Sequence, residues 1–417
     1  MPTCTVKSVQ VVDARYPLPP GAGSDAVHTD PVYAMALTHL KTDCNLTGVG
    51  LAFTLGEGNR LVCDAVQILS QRLVGMSIDA VMADLGRLMS ELANDPAMRW
   101  LGPHKGVVHL ALASINNACW DLWAKSHGVP LWKLLLDLSE EELISTLDLS
   151  YLEDDLTASE AIQILHNERS TRVDRESVLK SGYPGYDTSV GWMGYDDSKV
   201  RELTLQAIDR GFRAFKLKVG SSDEARDLRR AAMLREIAGD RGILMFDANQ
   251  RWNPLDALRM CKKLAAFKPH WIEEPTHPDD IYAHSELARA IAPIHLAAGE
   301  HVPNRVVFKN LLLYSGVHFV QADCTRVAGV SEFLVVSLLA KKHRLPVAPH
   351  VGDMGQIHQH LVLFIHVAMN HEAVFLEHIP HLRNHFLFPA QVERGVYVVP
   401  QNPGASTDLH YSLTRDS

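Results

Sequence analysis

The strongest constraint in this chain is a repeat. From residue 186 onward, short β-rich runs at 212–219, 243–247, 270–274, 294–298, 319–322, 346–350 and 374–377 alternate with amphipathic helical stretches. Strands alternating with helices build βαβ units and a parallel sheet. Seven or eight such units fit a closed (β/α) barrel better than an open doubly wound sheet. Neither a GxGxxG fingerprint nor a P-loop marks the first turn of the region. At or just past the end of each run stands a residue able to do chemistry: Lys218, Asp247, Glu273, Glu300, Asp323, His350 and Glu377, spaced 23 to 29 residues apart. Strand C-termini in a barrel converge on one face, so these seven side chains are expected to meet there.

Ahead of the repeat, residues 1–138 read as an α+β domain. Strands are expected at 6–15, 33–42 and 48–54, and helices at 59–73, 80–93 and 106–126. The last shows Val108, Leu112, Ile115, Cys119 and Leu122 at helical spacing and reads as core and domain packing. Residues 139–185 are rich in Glu, Asp, Ser and Arg and read as a charged, partly helical insertion. Residues 186–385 would then be the barrel. The loop 21–31, rich in Gly, Asp and His, is a candidate lid.

Composition narrows the partners. A net charge of −9 and a pI near 6.2 argue against a nucleic-acid binder. No secretory signal is visible, and apolar stretches such as 333–340 are too short to cross a bilayer. The six cysteines show no metal-ligand spacing. Buried free thiols in a reducing, soluble compartment, most simply the cytoplasm, are expected. Of 22 histidines, 16 follow residue 269; packing or surface roles are expected for most, including His358, His360, His366, His371, His378, His381 and His385.

The strand-end residues sort by chemistry. Lys216 and Lys218 lie two apart and so share a strand face, where mutual repulsion is expected to depress a lysine pKa and free a base. Asp247, Glu273 and Glu300, brought together from three strands, would repel unless a hard cation neutralised them: Mg²⁺ first, with Mn²⁺ as the alternative. Asp323 beside His350 would fix the imidazole as a general acid or base.

In order, Lys216-Leu217-Lys218, Asp247-Ala248-Asn249, Trp271-Ile272-Glu273-Glu274-Pro275, Gly299-Glu300, Asp323 and Pro349-His350 resemble the enolase superfamily and, within it, the mandelate racemase subgroup. Residues 24–31, 99–110, 247–252 and 273–280 are most similar to L-fuconate dehydratases. The resemblance spans essentially the whole chain. It implies a (β/α)7β barrel, a modified TIM barrel, capped by the N-terminal third together with a C-terminal tail at 386–417. It further implies Mg²⁺ on Asp247, Glu273 and Glu300, Lys218 as base with Lys216 near the substrate carboxylate, and His350, held by Asp323, on the opposite face. Glu377 would hydrogen-bond the enediolate, and Asn249, His28, Asp30 and His301 would contact substrate.

The implied reaction is Mg²⁺-dependent dehydration of an acid sugar, L-fuconate or a related aldonate, to a 2-keto-3-deoxy acid. A racemase or epimerase of a 2-hydroxy acid would use the same Lys218/His350 pair, and a catalytically idle binding relative is the remaining alternative. A homo-oligomer is implied by the resemblance alone. The run 350–358, His301-Val302-Pro303 and the stretch 365–375 depart from the dehydratase pattern.

Overall fold

In the computed structural model, which describes residues 4–351 and 355–410, the chain opens with an antiparallel sheet of Val6–Pro17, Val32–Thr42 and Thr47–Leu55. The helix Gly106–Ser126 lies directly on this sheet. A Cβ at Gly50 would stand 2.0 Å from the Ser114 carbonyl oxygen, so only glycine permits this approach. The expected helix 80–93 is two helices, Ile78–Ala83 and Leu85–Ala93, because Asp84 leaves helical geometry (φ −140°) between them. Residues 1–3, 352–354 and 411–417, which include part of the divergent run after His350 and the end of the tail, lie outside the described residues.

The cysteine expectation requires correction. Cys63, Cys119, Cys261 and Cys324 are free and buried, but Cys4 and Cys44 are joined in a disulfide. Thr5 and Asp43 exchange hydrogen bonds where the first strand begins beside the end of the second, and this register brings the two cysteines together. Six free thiols are the basis for expecting a reducing compartment; with two of them bonded, that basis goes.

Between the cap and the repeat, short helices at Glu140–Ser145 and Ala158–Glu168 each open with a complete capping box, Ser139/Glu142 and Thr157/Glu160. The acidic run 140–142 thus belongs to a helix start. The first barrel strand, Tyr183–Gly191, is one that the alternation from 212 onward does not reveal.

From there the parallel sheet runs through Ala214–Lys218, Ile243–Asp247, Trp271–Glu273, His295–Ala298 and Phe319–Val320. The expected strand 346–350 is reduced to a single bridge, Val347 to Val320, and Leu376–His378 closes onto Tyr183–Gly191. Seven helices among the described residues, from Asp197–Asp209 to Gly355–Met369, occupy the intervals, giving a (β/α)7β barrel with an α+β cap.

Strand alternation sorts the barrel into layers. Ala214, Met245, Trp271, Ala297 and Phe319 pack with Tyr186 and Ala348 in one apolar plug, whereas Phe215, Leu217, Phe246, Ile272 and Leu296 belong to the main core. Two residues further along the inward face come Lys216, Asp247 and Glu273. Polar chemistry therefore sits directly above an apolar floor. No helix among the described residues is long and apolar enough to cross a membrane.

Candidate active site

Strand register places the first residues of the site. Lys218 pairs with Asp247 and Asp247 with Glu273 as direct neighbours across three strands. Lys218 Nζ lies 2.5 Å from Asp247 Oδ2. Lys216 Nζ lies 2.7 Å from both Glu273 Oε1 and Glu377 Oε1, and 3.5 Å from Asp247 Oδ2. All five side chains are buried.

These ion pairs reverse one electrostatic expectation. Burial alone would push Lys218 down, and Lys216 adds repulsion, but the Asp247 carboxylate outweighs both and holds the ammonium above its ordinary value. Glu273 moves the other way: burial and then the Asp247 charge push it up to about 8.

His350 stands across the same cavity. Its Nδ1 is 2.7 Å from Asp323 Oδ2, and its Nε2 is 3.4 Å from Glu300 Oε2. Burial would lower its pKa, but the charges of Glu300 and Asp323 lift it to about 9. The cavity encloses about 600 Å³, its open mouth included, and Lys218, Asn249, Glu300, His301, His350 and His28 all line it. Asn249 and the following Gln250 have left-handed backbones (φ 44° and 58°), an uncommon conformation that turns their side chains to the cavity.

Three expected residues sit differently. Asp30 does not line the cavity; its carboxylate accepts the Gly21 N–H at 2.7 Å and shapes the loop, while Asp25 faces inward and holds His28. Lys216 lies beneath the cavity in its ion pairs. Glu377 Oε1 accepts from Thr188 Oγ1 at 2.6 Å and its Oε2 accepts the Val351 N–H at 3.1 Å. With Lys216 also on Oε1, Glu377 is held as an acceptor from three groups while its side chain lines the cavity.

Residues 6–135 match the mandelate racemase / muconate lactonizing enzyme N-terminal domain, and residues 199–412 match the enolase C-terminal domain-like family. The chain belongs to the mandelate racemase / muconate lactonizing enzyme family of the enolase superfamily. It is 42% identical to human "Mitochondrial enolase superfamily member 1" over 97% of this chain and 93% of that protein. The crystal structure of that human protein superposes with a TM-score of 0.95 at 40% identity, covering 99% and 95% of the two chains. L-galactonate dehydratase of Hypocrea jecorina is 39% identical over 98% of this chain and 93% of its own. L-talarate/galactarate dehydratase of Salmonella typhimurium, solved liganded with Mg and L-lyxarohydroxamate, gives a TM-score of 0.80 at 26% identity, covering 99% and 94%. Similarity is thus not specific to L-fuconate dehydratases.

The carboxylates suit the cation this family implies. One oxygen each from Asp247, Glu273 and Glu300 lies within 4.8 Å of the others, and all three side chains are buried. Glu300 Oε2 and Asn249 Oδ1 are buried without a hydrogen-bond partner among the described residues. Such an all-oxygen donor set, with spare acceptor capacity, is what a hard divalent ion takes.

Several residues at the site went unassigned in the sequence. Trp192 carries Lys218 Nζ 5.3 Å from its ring centroid, and Arg326 lines the cavity. Gln250 Nε2 is 2.8 Å from His301 Nδ1, which also lies 3.0 Å from Glu274 Oε1. Gln250 and Glu274 adjoin Asn249 and Glu273, so adjacency to the strand ends was the signal available. His358, expected to be a packing histidine, bonds to Asp323.

Proposed function

We propose that the chain is a Mg²⁺-dependent hydro-lyase that dehydrates an acid sugar, L-fuconate or a closely related aldonate, to a 2-keto-3-deoxy acid. The observation that carries this reading is Lys218 and the Asp323–His350 pair opening on one cavity beside Asp247, Glu273 and Glu300. A proton next to a carboxylate is very weakly acidic, so the charge that develops on its removal needs preorganised stabilisation. Bound at the three carboxylates, Mg²⁺ would supply a Lewis acid for the substrate carboxylate.

The protein's own groups do the rest. Lys218 acts as its neutral amine: the ammonium held by Asp247 first gives a proton to solvent, and Nζ then takes the C2 proton. His350 gives a proton to the C3 hydroxyl, which leaves as water when the C3–O bond breaks. The resulting enol tautomerises to the 2-keto acid. Asp323 holds His350 through Nδ1, leaving Nε2 to the cavity, and Lys216 and Glu377 hold each other and the floor of the site.

The dehydratases among the relatives support elimination over racemisation. L-fuconate is 6-deoxy-L-galactonate, so the two acids share their configuration and differ in one terminal hydroxyl. On its cap side the cavity is lined by Val27, Phe53 and Leu55, an apolar surface suited to a terminal methyl group.

The test is to incubate the protein with L-fuconate, L-galactonate and a 2-hydroxy acid lacking a 3-hydroxyl, with Mg²⁺ or with EDTA. The expected result is 2-keto acid from the first two, faster from L-fuconate, and none with EDTA. Epimerisation at C2 without keto acid would favour the racemase reading and overturn this one.

A further inference from the structure

Asp323 is held by more than His350. Its carboxylate is fully buried. Oδ2 accepts from His350 Nδ1 at 2.7 Å, while Oδ1 accepts the backbone N–H and the hydroxyl of Thr325, each at 2.7 Å, and His358 Nε2 at 2.9 Å. A carboxylate only accepts, so Nε2 is the protonated nitrogen of His358 in this contact.

The two sources of support on Oδ1 differ in kind. Thr325 lies two residues along the same loop, so its bonds travel with Asp323. His358 belongs to the helix Gly355–Met369, a separate element that follows the segment bearing His350. Its ring is fully buried and faces Cys324 Sγ at 3.4 Å on the same loop. Asp323 is thereby tied through one oxygen to the helix and through the other to His350.

We propose that His358 is a positioning residue for the acid step: by holding Asp323 Oδ1 it aims Oδ2, and with it the His350 ring, at the departing hydroxyl. This rests on the dehydratase reading above. Outer partners that orient metal ligands typically change activity about 10- to 100-fold when removed, without touching substrate themselves, and the same logic of orientation sets the size expected here. The effect should also be selective. Proton removal by Lys218 takes place at another strand end and does not depend on the aim of His350.

The experiment compares His358→Leu, which removes the donor, with His358→Gln, which keeps an N–H donor. Keto-acid formation, KM and wash-in of solvent deuterium at C2 are followed with L-fuconate and Mg²⁺. His358→Leu is expected to lower kcat about 10- to 100-fold with KM within about twofold. Deuterium exchange should persist, so the ratio of exchange to elimination rises, and His358→Gln should recover most of kcat. Wild-type kcat in His358→Leu would overturn the proposal. So would exchange and elimination falling together in both variants, which marks a merely structural role. Absence of keto acid from the wild-type protein would strike the dehydratase reading instead.

Discussion

At the scale of single residues, the site is governed by which charge outweighs which. Two lysines on one strand face predict mutual depression. Yet each ammonium has a carboxylate at 2.5 to 2.7 Å, and opposite charges at that range prevail over burial and like-charge repulsion. Lys218 and His350 are expected to separate in their effects. A general base or acid contributes roughly 10²–10⁴-fold, so Lys218→Ala should lose both deuterium exchange at C2 and keto-acid formation by at least about 10²-fold. His350→Asn should lose keto-acid formation by a similar factor while exchange continues. Deuterium incorporation followed by NMR checks both, and full exchange in Lys218→Ala would show that another group is the base.

At the scale of elements, the decisive piece is the helix Gly106–Ser126, which joins the cap to the barrel. Its Asn117 accepts the Val330 N–H at 2.9 Å and donates to the Leu51 and Cys324 carbonyls, at 3.1 and 3.0 Å. Asn116 accepts the Ser331 N–H at 3.1 Å. The barrel helix Val330–Lys342 begins at Gly329, which has no side chain to cap it, so two asparagines of the cap satisfy its first N–H groups. Asn117→Ala would leave a buried donor unpaired, at a cost of about 1–3 kcal/mol. Thermal unfolding should show a lower midpoint for Asn117→Ala than for substitution of the exposed Gln67, and an unchanged midpoint would remove this joint from the account. The hydrophobic repeat of 106–126 reveals a buried helix, but not that its polar residues are caps for a segment more than 200 positions away.

At the scale of the whole molecule, the histidine excess sets the response to pH. Burial pushes His360 and His378 down to about 3 and His371 and His381 down to about 4. Their folded values lie below the unfolded value of 6.5, so the stability they contribute is present above about pH 6.5 and lost as the pH falls toward 4. Each can contribute up to about 1.4 kcal/mol per pH unit over that range. His358 has the opposite sign: burial lowers it, but the neighbouring Cys324 and Asp323 lift it to about 10. Its contribution is present below pH 6.5 and lost as the pH rises toward 10. Denaturant midpoints measured from pH 4 to 10 should therefore be highest near pH 6.5 and fall on both sides, more steeply on the acid side, where four histidines act against one. A midpoint unchanged between pH 7 and 4.5 would contradict the burial of these histidines as neutral groups.

Legibility followed the same divide. Strand periodicity is local, and a barrel of parallel strands has one place for its C-terminal ends. The order Lys218, Asp247, Glu273, Glu300, Asp323, His350 and Glu377 was therefore enough to foresee a shared face. The first strand escaped because Pro184 and Gly185 interrupt its pattern, and the bridge at Val347 is too short to read as more than a run of apolar residues. Asp30 and Glu377 carry the right chemistry at the right positions, but partner and direction are not local properties. One is turned to Gly21, and the other is taken up by Lys216, Thr188 and Val351. His358 has nothing in its local sequence to set it apart from the other late histidines, because the carboxylate that lies 2.9 Å from it stands 35 residues earlier in the chain. What the sequence by itself determined was which chemical groups would be brought to one end of a barrel, because spacing along a strand and repeat is covalent. Which of them donate, which accept and which are held in reserve was decided only by the tertiary structure, because burial and pairing depend on neighbours the chain reaches by folding.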